Sequence, residues 1–406
     1  MQKTVLFESK AECCGCEACV GVCPAKAISM KEDEYGFRYP VINDTLCVGC
    51  GLCKKTCANR NCEETNTPME TYAACTAITN VMKSASGGAF AGLARRFIEQ
   101  GGVVFGVSME NVDGLFVPMH ISVDTVAGLE KLQGSKYVQS VVGDAYVRVK
   151  NELEAGKKVL FSGTPCQVAA LKGFLGNKAN ENLLLVDIVC HGVPSLQFFQ
   201  SYIKHYEDRV KGKVTDFRFR DKARGWGLVG RVEYIRKGKK KSKLVYARES
   251  SYYQLFLRGD IYRESCYECK YACENRPGDI TVGDYWGIER EHPELLASNG
   301  GCFDQMKGIS CLIINSSKGK QYIDAFPDMI SKRESTYEKV ARQNGQLRIP
   351  TSKSGKREEI LNVYAQGGYK QVDALFKREH RKNKLIAYII DRIPTAIKKK
   401  MRRLLK

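Results

Sequence analysis

No stretch of this 406-residue chain approaches about eighteen uninterrupted apolar residues, so no segment is a candidate for a membrane-spanning helix. The opening Met-Gln-Lys-Thr carries no apolar run of the kind that precedes a secretory cleavage site, and no signal peptide is expected. No G-x-G-x-x-G follows a strand-like run, which removes a Rossmann dinucleotide site from consideration. There is no cysteine triplet with three-then-two spacing, so a radical enzyme is not expected. Basic and aromatic residues are not interleaved in the body of the chain, which argues against a nucleic-acid-binding surface. Proline and glycine are modest while 43% of residues are hydrophobic, a balance that belongs to globular rather than disordered chains.

Positive charge is plentiful but concentrated. Of the net +19, residues 377–406 contribute +10, from twelve Lys/Arg against two acids, which leaves +9 for the other 376 residues. The basic balance is therefore largely a property of the tail. Cysteine is abundant too, at eighteen residues. Eight of these lie in two dense runs with metal-ligand spacing rather than scattered through a short, loop-rich scaffold. Metal binding in a reducing cytoplasm follows, in preference to disulfides.

The chain divides into a cysteine-rich segment, 1–65, a linker at 66–74 and an alternating region at 75–350, which splits near 155/156. A polar, helical and basic tail follows at 351–406. In the alternating region, residues 87–100 place Phe90, Leu93, Ala94 and Phe97 on one helical face, and 103–107 follow as an apolar strand. Residues 158–161 and 183–189 are further buried strands, and 167–174 and 195–207 are helices. This alternation predicts a sheet covered by helices, a mixed α/β domain behind a small α+β module. Residues 231–246 read as a hairpin with a lysine-rich tip.

The first cysteine run is Cys13-x2-Cys16-x2-Cys19-x3-Cys23-Pro24, and the second is Cys47-x2-Cys50-x2-Cys53-x3-Cys57. Both match the bacterial ferredoxin pattern, in which each 4Fe–4S cluster takes three cysteines from one run and the fourth from the other. Cys13, Cys16, Cys19 and Cys57 then hold one cluster, and Cys47, Cys50, Cys53 and Cys23 the other. Small or apolar residues between the ligands (Gly15, Ala18, Gly49, Gly51, Leu52) let the backbone close around the cluster and exclude water. Ala58 replaces the proline expected after the second run. A zinc site usually shows two separated cysteine pairs, not four in a row. Cys14, Cys62 and Cys75 fit neither run and are read as non-ligands.

Beyond this module, several strings occur in order: Ser84-Ala-Ser86-Gly87-Gly88-Ala89-Phe90, Gly134-Ser135-Lys136-Tyr137-Val-Gln-Ser140, Phe161-Ser-Gly163-Thr164-Pro165-Cys166-Gln167, Asp187-Ile-Val-Cys190-His191-Gly192, Phe219-Arg220-Asp221-Lys222, Cys266-x2-Cys269, and Arg276-Pro277-Gly-Asp279 through Gly283-Asp284-Tyr-Trp286-Gly287. From about residue 10 to residue 320 the chain resembles the beta subunit of coenzyme F420 hydrogenases and dehydrogenases. The likeness is to bacterial members with a fused ferredoxin, which often accompany cell-surface polysaccharide genes. The resemblance implies an FAD and a third 4Fe–4S cluster, the latter on Cys166, Cys190, Cys266 and Cys269. From the residues alone, Cys273 rivals one of these, and Cys166 and Cys190 also read as small buried hydrophobes. The resemblance implies a flavin site at Ser84, Ser86, Gly87, Gly88, Lys136 and Tyr137. In that reading the serines cap a helix start, the glycines admit a diphosphate and the lysine supplies a cation. An ordinary helix cap and a solvated loop lysine are the plainer alternatives. His191 is read either as a partner to a cluster sulfide or proton, or as a histidine satisfied structurally.

From residue 385 onward, Ile386, Ile389, Ile390, Ile393, Ile397, Met401, Leu404 and Leu405 recur at helical spacing beside a lysine–arginine cluster. Such a helix suits an anionic membrane surface, a partner protein or its own domain, so the protein is expected in the cytoplasm, peripheral to the membrane's inner face in the first case. Taken together, the sequence predicts an iron–sulfur flavoprotein oxidoreductase. It passes electrons between two ferredoxin clusters, a third cluster and FAD, and on to a redox partner protein or a small acceptor or donor, F420-like or unknown. The alternative is a non-catalytic electron-transfer subunit serving a partner enzyme, for instance in surface polysaccharide synthesis.

Overall fold

The computed structural model describes residues 5–60, 65–176, 180–380 and 393. The two cysteine runs fold into equivalent turns. Gly15 and Gly49 have φ of +65° and +68°, and Glu17 and Gly51 have φ of +64° and +74°. These left-handed residues reverse the chain between successive thiols, a conformation that glycine takes without steric cost. One-turn helices follow, α1 (Ala18–Gly21) and α2 (Leu52–Lys55). Between them lies the antiparallel hairpin of β1 (Ile28–Glu32) and β2 (Arg38–Ile42). This is the small ferredoxin-type module expected from the repeat.

The remaining strands, in chain order, are β3 (Glu70–Thr76), β4 (Val103–Val112), β5 (Leu115–Val123), β6 (Val159–Gly163), β7 (Leu183–Ile188), β8 (Lys213–Arg218), β9 (Val229–Arg236), β10 (Lys239–Tyr246), β11 (Ile280–Asp284), β12 (Ser310–Ile314) and β13 (Ile330–Ser335). Eight of them form one mixed sheet in the order β13-β3-β12-β11-β7-β6-β4-β5. β4, β6, β7 and β11 run parallel at its centre, and the outer strands pair antiparallel. β6 and β12 are buried throughout, in keeping with strands covered on both faces.

The helices are α3 (Ala89–Glu99), α4 (Val126–Leu129), α5 (Ala145–Glu154), α6 (Pro165–Phe174), α7 (Leu196–Val210), α8 (Ser251–Leu257), α9 (Ile288–Glu291), α10 (Ser317–Ala325), α11 (Tyr337–Gln343) and α12 (Arg357–Glu379). Alternation along the strands divides the core. Leu160, Leu184 and Val186 face α3 and α10, while Val159, Phe161, Leu183 and Leu185 face α5 and α6. Cys16, Ala18 and Ala58 of the ferredoxin module join this second face. A separate aromatic core, with Phe198, Phe199, Tyr202, Phe219, Tyr252 and Tyr369, is built by α7, α8, α12 and the three-stranded sheet β10-β9-β8.

Two expectations change. Most of the stretch read as a linker, 66–74, is structural: β3 lies between β12 and β13, with Ala73 and Ala74 fully buried. Its small residues suit close strand packing, which a composition argument mistakes for flexibility. The tail read as beginning at 351 is in part body, because α12 buries Ile360, Leu361, Tyr369 and Val372 in the aromatic core. The amphipathic segment from residue 385 lies, apart from Ile393, outside the described residues. Among the described residues no helix is long and apolar enough to cross a membrane.

Candidate metal and cofactor centre

The parallel strands deliver their C-terminal ends to one edge of the sheet, where open α/β sheets bind ligands. There a cavity of about 490 Å³ opens. Cys166 lies just beyond β6 and Cys190 just beyond β7, while Cys266 and Cys269 arrive on a loop after α8. All four line this cavity. On other walls stand Ser84, Ser86, Gly88, Lys136 and Tyr137. The residues expected for a third cluster and for a flavin therefore share one compartment. Gly87 does not line it. A Cβ there would meet the Ala74 carbonyl at 2.4 Å and the Ser310 nitrogen at 2.7 Å, so this glycine serves strand packing.

Each cysteine is positioned by local rules. Cys166 sits in the first turn of α6, behind a capping box in which Thr164 and Gln167 bond reciprocally, with Pro165 at the first helical position. The Gln167 amide donates onward to Ser140 Oγ at 2.9 Å. The loop with Cys266 and Cys269 is tied to β7 by Arg276, whose Nη2 lies 2.7 Å from Asp187 Oδ1 and 3.0 Å from the Ile188 carbonyl. Asp187 also accepts from Thr281 Oγ1 and the Gly278 N–H. Cys273 points elsewhere, its thiol bonded to the carbonyls of Lys270 and Asn275. It is not on the cavity wall, and the rivalry with Cys269 is not supported by its placement.

Burial pushes the Cys190 thiol up to about 12 and Cys269 to about 11, and it raises Cys266 as well. A hydrogen bond from the Cys14 thiol holds Cys166 below the ordinary range. Thiols buried like those of Cys190, Cys266 and Cys269 become thiolates readily only when a bound cation takes up their charge. Among the described residues, no three His, Cys, Asp or Glu side chains converge on a single ion position. A cubane sets its four sulfurs apart around a body of iron and sulfide, and the cysteines spaced around one cavity wall suit that arrangement.

In the ferredoxin module, Cys19 feels the charges of Cys16, Cys13 and Cys57, and of Cys53 from the second run. Cys23, Cys47, Cys50 and Cys53 line a separate small cavity with Ile42, Val48 and Leu52. The first group, here the inner site, faces the large domain, whereas Cys50 of the outer site is exposed. Cys14, set aside in the sequence, lines the large cavity and places its thiol between Cys16 of the module and Cys166.

Two further groups at the seam carry no sequence signal. Glu17 accepts from Arg38 Nη1 at 2.8 Å and from the Gly143 N–H at 2.8 Å. Its repeat counterpart is Gly51, so a residue unfavoured in a left-handed turn is kept where it clamps the module to the domain. Arg263 has 0% exposure. It donates from Nε to the Cys13 carbonyl at 2.7 Å, from Nη2 to the Arg38 carbonyl at 2.7 Å and from Nη1 to Gln139 Oε1 at 3.1 Å. Nη2 lies 3.9 Å from Cys13 Sγ, and the guanidinium covers the Tyr39 ring at 4.1 Å. None of these partners is a carboxylate. A buried cation demands a compensating charge, which an iron–sulfur cluster held by Cys13 would supply.

At the opposite wall, the serines do not cap α3. Gly88, at φ +78°, occupies the N-cap, and Ser86 Oγ donates to the Ile309 carbonyl at 2.8 Å. The Lys136 ammonium has three hydrogens, and the carbonyls of Lys131, Leu132 and Gln133 lie within 3.0–3.3 Å to take them, so none is left for a phosphate. Cations nevertheless stand behind the 84–88 loop. Lys222 donates to the Ser86 carbonyl at 2.6 Å, and Arg220 donates to the Ala85 carbonyl at 3.1 Å and to Asp284 Oδ2 at 2.9 Å. Asp284 also accepts from Trp226 Nε1 at 2.6 Å, and Trp226 stacks on Trp286 with ring centroids 4.7 Å apart. Ser84 Oγ and Gln133 Oε1, both on the cavity wall, are buried and without a partner among the described residues. Two orphaned polar atoms, the N-terminus of α3 and the backing ammonium of Lys222 fit a polar, anionic cofactor.

Residues 156–339 match the model of the family described as the C terminus of the coenzyme F420 hydrogenase/dehydrogenase beta subunit, and residues 12–61 match a 4Fe–4S dicluster domain. The VorC polypeptide of the ketoisovalerate oxidoreductase of Methanothermobacter marburgensis is 36% identical over 66 residues, which are 16% of this chain and 84% of that protein. A chain of the F420-reducing [NiFe] hydrogenase complex from Methanosarcina barkeri, solved as a xenon derivative, aligns with a TM-score of 0.44 at 13% identity, covering 75% of this chain and 95% of that one.

Proposed function

Because residues 156–339 match the C-terminal model of the coenzyme F420 hydrogenase/dehydrogenase beta-subunit family and a 4Fe–4S dicluster domain precedes them, we propose that this chain is an iron–sulfur flavoprotein whose cavity holds a third cluster and FAD side by side. At the coarser level it is an iron–sulfur electron-transfer oxidoreductase subunit. The observation that carries the finer reading is the single cavity, with four cysteines on one wall and a cation-backed loop with orphaned polar atoms on another.

When bound, FAD supplies exchange between one-electron and two-electron chemistry, which clusters alone lack. The protein's residues do the rest. Cys13, Cys16, Cys19 and Cys57 hold the inner cluster, Cys47, Cys50, Cys53 and Cys23 the outer one, and Cys166, Cys190, Cys266 and Cys269 the third. Ser84, Gln133 and the first N–H groups of α3 bind the cofactor's polar part, and Lys222 and Arg220 fix the loop from behind. Tyr137, stacked on Phe256 at 4.6 Å, forms an apolar wall. Burial lowers the pKa of His191, which lines the cavity, so the imidazole stays neutral and offers a proton acceptor. A substrate able to give or take hydride would be held against the cofactor in this cavity, and a redox protein partner would serve the module.

Anaerobic purification with iron and flavin counting tests this reading. About twelve iron atoms and one FAD per chain are expected. About eight iron atoms and no flavin would overturn the cavity assignment. Full cofactor content with transfer only to protein acceptors would make the chain a carrier and not an enzyme.

A further inference from the structure

Resting on the reading of two clusters in the ferredoxin module, we propose that Arg263 is the fixed counter-charge of the inner cluster, raising its potential above that of the outer one so that electrons run inward. The two sites share spacing, hairpin and turn geometry, so the ligands themselves do not distinguish them. Their surroundings do. The inner site has a fully buried guanidinium whose Nη2 lies 3.9 Å from Cys13 Sγ, and the ionisable groups that feel its charge include Cys13, Cys14, Tyr39, Cys266 and Cys166. The nearby Arg38–Glu17 pair is closed on itself at 2.8 Å and adds no net charge. Beside the outer site the cations Lys26, Lys54 and Lys55 are exposed, where water and salt screen them.

A positive charge in a dry environment favours the more reduced, more negative cluster, and it acts there with little screening. Arg263 is also permanently charged, so the effect does not fade across the physiological pH range. Its fork is held by the Cys13 and Arg38 carbonyls and by Gln139, which fixes the charge instead of letting it swing toward the third cluster's Cys266. One electron leaves the outer cluster and one arrives at the inner, with no bond made or broken and no proton moved. A low-potential one-electron donor outside the protein restores the outer cluster.

The test uses the full chain, purified anaerobically as wild type, Arg263→Gln and Arg263→Lys. Iron is counted first, then midpoint potentials are read by EPR-monitored titration, with Cys50→Ser identifying the outer signal. The inner midpoint is expected above the outer in wild type. It shifts to more negative potential in Arg263→Gln while the outer one stays, and it is largely kept in Arg263→Lys. Full iron with both midpoints unmoved, or moved equally, overturns the proposal. Should Arg263→Gln lose iron, Arg263→Lys and wild type decide, because an inner midpoint at or below the outer one in either sinks the idea. Absence of iron from the first eight cysteines is a different failure, that of the module reading itself.

Discussion

Asp187 and Arg276 form an ion pair at 2.7 Å in which the side chains are 0% and 1% exposed. The pair joins the end of β7 to the loop behind Cys266 and Cys269, so it sets the spacing of three cavity cysteines. Removing one member leaves the other charge buried alone, which costs about 3–5 kcal/mol. Arg276→Met should therefore lower stability by about that amount and release about four iron atoms, those of one cluster. Thermal unfolding and iron analysis of the same preparation check both.

Cys269 and Cys273 separate by content. Cys269→Ser should lower iron from about twelve to about eight per chain, whereas Cys273→Ser should leave it unchanged. The opposite result would move the ligand set off the cavity wall.

Lys136 and Lys222 should fail differently. Burial lowers Lys136 to about 7, yet three carbonyls hold its ammonium. Lys136→Met should cost about 1–3 kcal/mol of stability through unsatisfied carbonyls. Lys222, lowered to about 8 by burial, braces the 84–88 loop. Lys222→Met should weaken FAD retention about tenfold, equivalent to about 1.4 kcal/mol. Flavin fluorescence after gel filtration, beside a melting curve, separates the two.

His120 makes stability depend on pH. It stacks on Phe161 at 5.2 Å, and burial lowers its pKa from 6.5 to about 4. As pH falls below 6.5 the unfolded chain takes up the proton first, so the folded state loses stability until about pH 4. By pH 5 the loss is about 2 kcal/mol. His120→Phe should lack this part of the acid sensitivity, measured as the difference in unfolding free energy between pH 7 and pH 5.

The sequence made the 4Fe–4S dicluster module legible because cluster binding is local, and spacing within a run signals it. The helix at 87–100 and the strands at 158–161 and 183–189 were legible from periodicity. What the sequence concealed is contact between distant segments. Arg263 looks like any loop arginine until Cys13, Arg38 and Gln139 surround it. Lys136 looked like a cofactor cation because its acceptors, three to five residues upstream, are backbone carbonyls that leave no mark in the sequence. β3 passed for a linker because small residues read alike in a tight sheet and in a loop.

Exposure of Cys50, beside an inner site none of whose cysteines is exposed, implies an order of damage in air. Oxygen reaches the outermost cubane first, so bleaching should proceed in stages, with about four iron atoms lost quickly and the remainder slowly. The short stretch 46–52, with Leu46, Val48 and Leu52 exposed, thus sets the shelf life of the protein as well as its electrical contact with the outside.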